Sequence, residues 1–326
     1  MSVLIVGAGS WGTAVGIVLA SKGEDVHLFT RSSDFAAQLN ANRRNDKYLA
    51  NAALPESLTA ISEVTDLSIY DWCFCAVPTR FIREQFSLFK DLWPSDLPVV
   101  SLSKGIERET LKFPTQVLGE VLNTPHTLAL TGPSHAEEVA AGLPAATVSA
   151  GDPAHAESLA KFCSRGVFRV YHVSDLAGVE LAGAAKNVIA IAAGIIDGLK
   201  FGDNTKAALL ARGLAEIVRL GNAIGANERT FSGLSGVGDL YATCASPHGR
   251  NRAFGVRVGE GENPSAVVES MTMVVEGYNT AAALKQLAKQ HKVEMPITEA
   301  VCEVIYNNAD PREAVERLMT RQLRAE

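Results

Sequence analysis

The chain has 326 residues, 47% apolar and 20% charged, enough for roughly two globular domains with sizeable cores. Its net charge of −6 gives no reason to expect nucleic acid or an anionic membrane as partner, so an anionic substrate needs a local basic pocket. Five scattered cysteines without a CxxC pair, no HxxxH or HExxH spacing, no signal peptide and no uninterrupted apolar run near ~20 residues point to a metal-free, cytoplasmic protein without membrane insertion.

Val3-Leu4-Ile5-Val6 reads as a buried parallel strand, and Gly7-Ala8-Gly9-Ser10-Trp11-Gly12 follows it directly into a small-residue helix from Thr13 to Ser21. A GxGxxG turn set between strand and helix is a dinucleotide-binding signature. Gly7 permits the tight turn, Gly9 leaves room for a pyrophosphate, and Gly12 lets the helix lie on the strand. The helix N-terminus offers free N–H groups and partial positive charge to the phosphates. Val26 to Phe29 forms the second strand and ends at Thr30-Arg31-Ser32-Ser33. A ribose 2′-hydroxyl is usually met here by an acid, whereas an arginine fork suits a 2′-phosphate. Arg31 therefore favours NADP(H), with NAD(H) kept open; the plain alternative is a solvated loop charge.

Phe35 to Asn42 is helical in pattern, Asn42 to Asn51 a polar connection, and Leu58 to Ser62 a short strand. Trp72 to Val77 is a continuous apolar strand, ended by Pro78-Thr79 and followed by a helix from Arg80 to Leu92. Pro98 to Leu102 is a strand running into Ser103-Lys104-Gly105-Ile106-Glu107, which places Lys104 at a strand's carboxyl end. Thr127 to Leu130 leads to Gly132-Pro133-Ser134, where Ser134 can cap a helix with Glu137 as its capping-box partner. Strands from Ala145 to Ser149 and Val167 to His172 flank a helix opened by Asp152-Pro153. Alternating strands and helices predict a parallel, doubly wound sheet, which binds ligands beyond its strands' carboxyl ends.

After residue 175 the strand pattern stops, and helical spacing runs to the C-terminus. The predicted organisation is thus α/β: a Rossmann-like domain over 1–175 and an all-helical substrate domain over 176–326. Leu176 to Ile196 is a long apolar helix carrying Lys186 and Asn187 in its middle. Burial there disfavours the ammonium, so that Lys186 can exchange a proton with a substrate oxygen near neutral pH; a snorkelling lysine is the alternative. Lys206 to Ile224 is a further helix. Gly233 to Gly238 is a glycine-rich turn ahead of Asp239, which either holds a lysine or caps a helix. Pro247 to Arg252 is a basic loop whose Arg250 and Asn251 would suit a phosphate, although spacing alone favours a solvated charged loop. Helices follow near Pro264–Met271, Thr280–His291, Pro296–Asn307 and Arg312–Arg324.

Seven stretches, in order, resemble the bacterial-type NAD(P)-dependent glycerol-3-phosphate dehydrogenases. They are Gly7 to Thr13, Ser103 to Glu107, Gly132 to Ser134, Ala185 to Val188, Gly233 to Leu240, Gly249 to Arg252 and Val274 to Gly277. The resemblance implies reversible reduction of dihydroxyacetone phosphate to sn-glycerol 3-phosphate, for phospholipid synthesis, in a homodimer of the family habit. It implies that Lys186 is the proton donor and acceptor, that Lys104 meets cofactor and substrate, and that Gly132 and Ser134 line the substrate site. Asp239 would lie by the reacting centre, and Gly249, Arg250 and Asn251 would hold the phosphate. Ser10, Trp11, Arg31, Ala136, Arg250, Val274 and Glu276 would contact the cofactor. Many relatives carry Ser where this chain has Gly249, so a hydroxyl contact is lost and the backbone N–H remains. The cleft between two such domains is where the resemblance puts the site. Two other readings stand beside it: a two-domain dehydrogenase of 3-hydroxy acids or sugar-acid phosphates, and a nucleotide sensor without catalysis.

Overall fold

The computed structural model describes residues 1–247 and 249–322. Contacts divide the chain into two compact units: Met1–Lys104 with Lys112–Val179, and Gly105–Leu111 with the chain from Glu180 onward.

The first unit holds ten strands: β1 (Ser2–Val6), β2 (Asp25–Phe29), β3 (Arg44–Asn45), β4 (Leu49–Ala53), β5 (Leu58–Ile61), β6 (Trp72–Cys75), β7 (Val99–Ser101), β8 (Thr127–Thr131), β9 (Ala145–Ala150) and β10 (Phe168–Val173). Its helices are α1 (Ser10–Ala20), α2 (Ser33–Asn42), α3 (Ile82–Ser87), α4 (Pro114–Leu122), α5 (Ala136–Ala140) and α6 (Pro153–Cys163). Eight strands form one sheet in the order β10-β9-β8-β7-β6-β1-β2-β5. From β5 through β8 every pairing is parallel, and the winding reverses at β1. This is the doubly wound arrangement, with the glycine turn at the reversal point. Side chains alternate along β1: Val3 and Ile5 pack with Ala14 and Ile17 of α1, whereas Leu4 and Val6 pack with Phe86 of α3 and Leu118 of α4. A strand buried on both faces needs the unbroken apolar run that β1 has.

The all-parallel expectation fails at one edge. β9 runs antiparallel to β8, and β10 lies parallel to β9. A parallel return requires a long crossover, usually a helix, but α5 has only five residues and the chain turns back after it. The 42–51 connection is also more ordered than its polarity implies, since β3 and β4 pair antiparallel. Its anchor is Asn45, fully buried, which donates to Ala8 O at 3.0 Å and to Thr13 Oγ1 at 2.7 Å. The helix predicted from Arg80 to Leu92 is broken into 3-10 turns at Thr79–Phe81 and Lys90–Leu92 around α3.

The second unit is helical. Its elements are α7 (Leu176–Gly198, whose first turn counts with the first unit), α8 (Gly202–Ala223), α9 (Glu228–Phe231), a π turn at Leu234–Gly238, α10 (Asp239–Ala245), α11 (Arg250–Gly259), α12 (Pro264–Ser270), α13 (Glu276–Gln290), α14 (Pro296–Asn307) and α15 (Pro311–Met319). Proline and a capping side chain start several of them; Asp310 accepts from Arg312 N and Glu313 N ahead of α15. Residue 324, at the predicted end of the last helix, lies outside the described residues. α7 is long and apolar enough to cross a membrane, with mean hydropathy 1.6, yet that stretch is wholly buried inside the protein, as in a core helix. It meets α11 backbone to backbone. A Cβ on Gly194 would lie 2.1 Å from Arg252 O, and one on Gly255 would lie 2.1 Å from Ile191 O. Gly198 and Gly259 repeat the contact one turn on.

All five cysteines are free and buried. Burial pushes the Cys163 and Cys244 thiols up to about 12, as befits inert packing groups.

Candidate active site

The glycine turn is built from backbone geometry. Gly7 has φ +116°, and a Cβ there would lie 2.6 Å from Ala76 O. A Cβ on Gly12 would lie 2.2 Å from Gly7 O, so the helix presses on its own turn. Gly9 differs, because a Cβ there would meet nothing within 4 Å. α1 starts at Gly9 with no side-chain cap and no acid in its first turn, which leaves its N–H groups and dipole facing outward. The Trp11 indole nitrogen is buried without a partner among the described residues. An open space at Gly9, an uncapped helix start and an unused buried donor together fit the phosphates of a dinucleotide. Arg31, at the end of β2, is exposed and stands 3.7 Å from Glu84.

The carboxyl ends of β6, β7 and β8 are tied together. Ser103 Oγ donates to Val77 O at 2.5 Å. Lys104 Nζ donates to Gly132 O at 2.9 Å and to Ser134 Oγ at 3.4 Å. Lys104, Gly132 and Ser134 thus form one cluster. The capping role for Ser134 is overturned. α5 begins after His135 with no side-chain cap, and Ser134 Oγ instead donates to Gly132 O at 2.8 Å. Gly132, at φ +130°, turns its carbonyl into reach of both groups. Ala136 is buried at the start of α5.

In the second unit Lys186 is 6% exposed, in the middle of α7. Its Nζ donates to Asp239 Oδ1 at 2.5 Å and to Thr243 Oγ1 at 2.6 Å. Asp239 is 2% exposed and takes the lysine rather than capping α10. Burial and the carboxylate act on the ammonium in opposite directions, and the pairing keeps a buried charge satisfied. Thr243 is a polar partner of Lys186 that the sequence motifs do not single out. Its one signal is a spacing of four from Asp239, which puts both on one face of α10.

The phosphate candidates are divided. Gly249 and Arg250 begin α11, whose start has no side-chain cap, and Arg250 is exposed with its Nη1 3.4 Å from Val274 O. His248 of the basic loop lies outside the described residues. A Cβ on Gly249 would lie 2.9 Å from Thr243 O, so a glycine there matches a tight approach to α10. Asn251 is buried, and its amide turns inward: Nδ2 donates to Asn187 Oδ1 at 2.9 Å, and Oδ1 accepts from Gly277 N at 2.9 Å. Glu276 opens α13 beside that contact.

Family models for the NAD-dependent glycerol-3-phosphate dehydrogenase N-terminus and C-terminus match residues 2–157 and 175–316. The chain belongs to the NAD-dependent glycerol-3-phosphate dehydrogenases. Glycerol-3-phosphate dehydrogenase [NAD(P)+] 1 of Salinibacter ruber is 45% identical, the match covering 100% of this chain and 97% of that protein. The corresponding dehydrogenase of Chlorobium phaeobacteroides is 44% identical over 100% of this chain and 99% of its own. Among solved structures, glycerol-3-phosphate dehydrogenase from Coxiella burnetii superposes with a TM-score of 0.93 at 36% identity, covering 98% of this chain and 99% of that one. Seen as a dehydrogenase of this family, the chain has its nucleotide turn on the first unit and its buried lysine on the second.

Proposed function

We propose that Lys186 is the proton donor and acceptor in the reversible, NAD(P)-dependent reduction of dihydroxyacetone phosphate to sn-glycerol 3-phosphate. The observation that carries this reading is the buried ammonium of Lys186, held at 2.5 Å by Asp239 and 2.6 Å by Thr243. When bound, a nicotinamide dinucleotide supplies a hydride to the ketone carbon. Lys186 Nζ gives a proton to the ketone oxygen as negative charge builds there, and takes one from the hydroxyl in the reverse direction. Asp239 keeps the lysine aimed, with Thr243 as the second hold. Lys104 adds positive charge, and Gly132 and Ser134 line the substrate. Gly249, Arg250 and Asn251 grip the phosphate, so binding far from the carbonyl orients it.

Gly7, Gly9, Ser10, Trp11 and Gly12 hold the pyrophosphate side of the cofactor, and Arg31 faces a 2′-phosphate when NADP(H) is the form bound. Lys104, Ala136, Arg250, Val274 and Glu276 complete that set. In this reading residues 1–175 bind the cofactor and 176–326 carry proton transfer and phosphate grip. The enzyme acts in the cytoplasm as a homodimer and feeds glycerophospholipid synthesis.

The test is Lys186→Ala, assayed by absorbance with NADPH and NADH. Turnover of dihydroxyacetone phosphate should vanish while cofactor binding persists, and the parent should ignore phosphate-free dihydroxyacetone. Near-normal kcat in the variant refutes the assignment of Lys186. A parent that binds cofactor but consumes none with the phosphate ester returns the choice to hydroxy-acid substrates.

A further inference from the structure

The two asparagines buried beside Lys186 form a directional chain. Gly277 N donates to Asn251 Oδ1 at 2.9 Å, Asn251 Nδ2 donates to Asn187 Oδ1 at 2.9 Å, and Asn187 Nδ2 donates to Gly183 O at 3.3 Å. An amide side chain can be turned either way, but the ends of this chain cannot. Gly277 offers a backbone N–H, which only donates, and Gly183 offers a backbone carbonyl, which only accepts. Both amides are therefore oriented by the fixed groups at the two ends. The chain links three helices, α13 through Gly277, α11 through Asn251 and α7 through Asn187. Its α13 end is also in backbone contact with α7, since a Cβ on Gly277 would lie 2.5 Å from Asn187 O. Arg250, the neighbour of Asn251, reaches back to Val274 O on the same segment.

We propose that Asn187 and Asn251 are positioning residues that fix the start of α13, with Val274 and Glu276, against the turn of α7 that carries Lys186. The proposal rests on the reading above in one respect, that Val274 and Glu276 serve the cofactor. Asn187 then acts on cofactor binding without touching cofactor or substrate. Asn251 acts twice: its Oδ1 is committed to Gly277, so it can only donate to a ligand.

The isosteric change Asn187→Asp tests the chain's polarity. As a carboxylate, Asp at 187 sets an oxygen against Gly183 O. When protonated, its O–H donates there as the amide did. Kd values for NADPH and NADH are measured by fluorescence titration against the parent at the same pH, with Tm recorded alongside. At pH 8 the variant should bind about tenfold more weakly, the scale of one unmade buried hydrogen bond. As pH is lowered the variant should regain affinity to the extent that its carboxyl protonates, because the protonated side chain rebuilds the chain. Parent-like affinity at pH 8 overturns the proposal. Gly277→Ala tests the same contact with both amides intact, should Asn187→Asp fail to fold at pH 8. It should raise cofactor Kd about fivefold or more, with a smaller change in KM for dihydroxyacetone phosphate at saturating cofactor. An unchanged cofactor Kd in Gly277→Ala, or an Asn251→Asp variant that alters only substrate KM, also overturns it. If the parent shows no activity on dihydroxyacetone phosphate, the functional reading fails, whereas the cofactor Kd values still decide the role of Asn187.

Discussion

Replacing Asp239 by Asn keeps the shape of the Lys186 site and removes its charge. At 2.5 Å and an effective dielectric of 20 the gross attraction is about 7 kcal/mol, set against several kcal/mol of desolvation for each ion. Breaking one side of such a buried pair costs about 3–5 kcal/mol while the lysine stays charged. The lysine escapes that cost by losing its proton, so the ammonium should titrate lower in the variant than in the parent. Ketone reduction needs the ammonium, so activity is lost as pH rises through that titration. The assay is kcat/KM for dihydroxyacetone phosphate from pH 5.5 to 9.5, with cofactor Kd and urea unfolding run in parallel. The variant's fall should begin at lower pH than the parent's, with cofactor Kd within about threefold. A pH profile that superposes on the parent's, with stability unchanged within ~1 kcal/mol, refutes a coupled Lys186–Asp239 pair.

Glu216, 1% exposed on α8, accepts from Ile297 N and Thr298 N at the start of α14, and burial pushes its carboxyl up to about 7. Its folded value lies above its unfolded one, so its stabilising contribution is full below about pH 4.5 and is lost as pH rises through about 7, up to ~3 kcal/mol. Unfolding by urea at pH 5 and pH 8 should show that loss in the parent and not in Glu216→Gln; parallel behaviour of the two proteins rules it out. Gly9→Val and Gly12→Ala should separate binding from folding. Open space at Gly9 predicts a Tm near the parent's with cofactor binding abolished, whereas a Cβ 2.2 Å from Gly7 O predicts a lowered Tm for Gly12→Ala. Arg31→Ala should weaken NADPH about tenfold and leave NADH nearly unchanged, measured as the ratio of Kd values. A constant ratio would remove Arg31 from cofactor selection.

The parts legible in the sequence are those where local chemistry decides structure. β1, the glycine turn and α1 follow from an apolar run and three small residues, and Lys186 stands out because it interrupts the apolar α7. The reversal of β9 is not local, since it depends on α5 being too short to cross the sheet. Asn45 shows no periodic signal, because its function is to satisfy Ala8 O and Thr13 Oγ1 from 32 or more residues away in sequence. Ser134 has a capping-box spacing that the chain does not use, since Gly132 O offers its hydroxyl a nearer partner. Thr243 and the inward turn of Asn251 belong to packing among α7, α10, α11 and α13, which spacing along one helix does not encode.

The glycines that bring α7 and α11 into backbone contact make those two helices behave as the jaws of a caliper. Lys186 and Asn187 stand on one jaw, Arg250 and Asn251 on the other. No side chain lies between the backbones at Gly194 and Gly255, so no rotamer change can widen the gap. If Lys186 is the proton donor and Arg250 and Asn251 the phosphate grip, as proposed, the fixed spacing of the jaws gauges the length of the substrate. On that reading a phosphate ester one methylene longer than dihydroxyacetone phosphate should lose kcat/KM by the ~1–3 kcal/mol that a misplaced methylene costs.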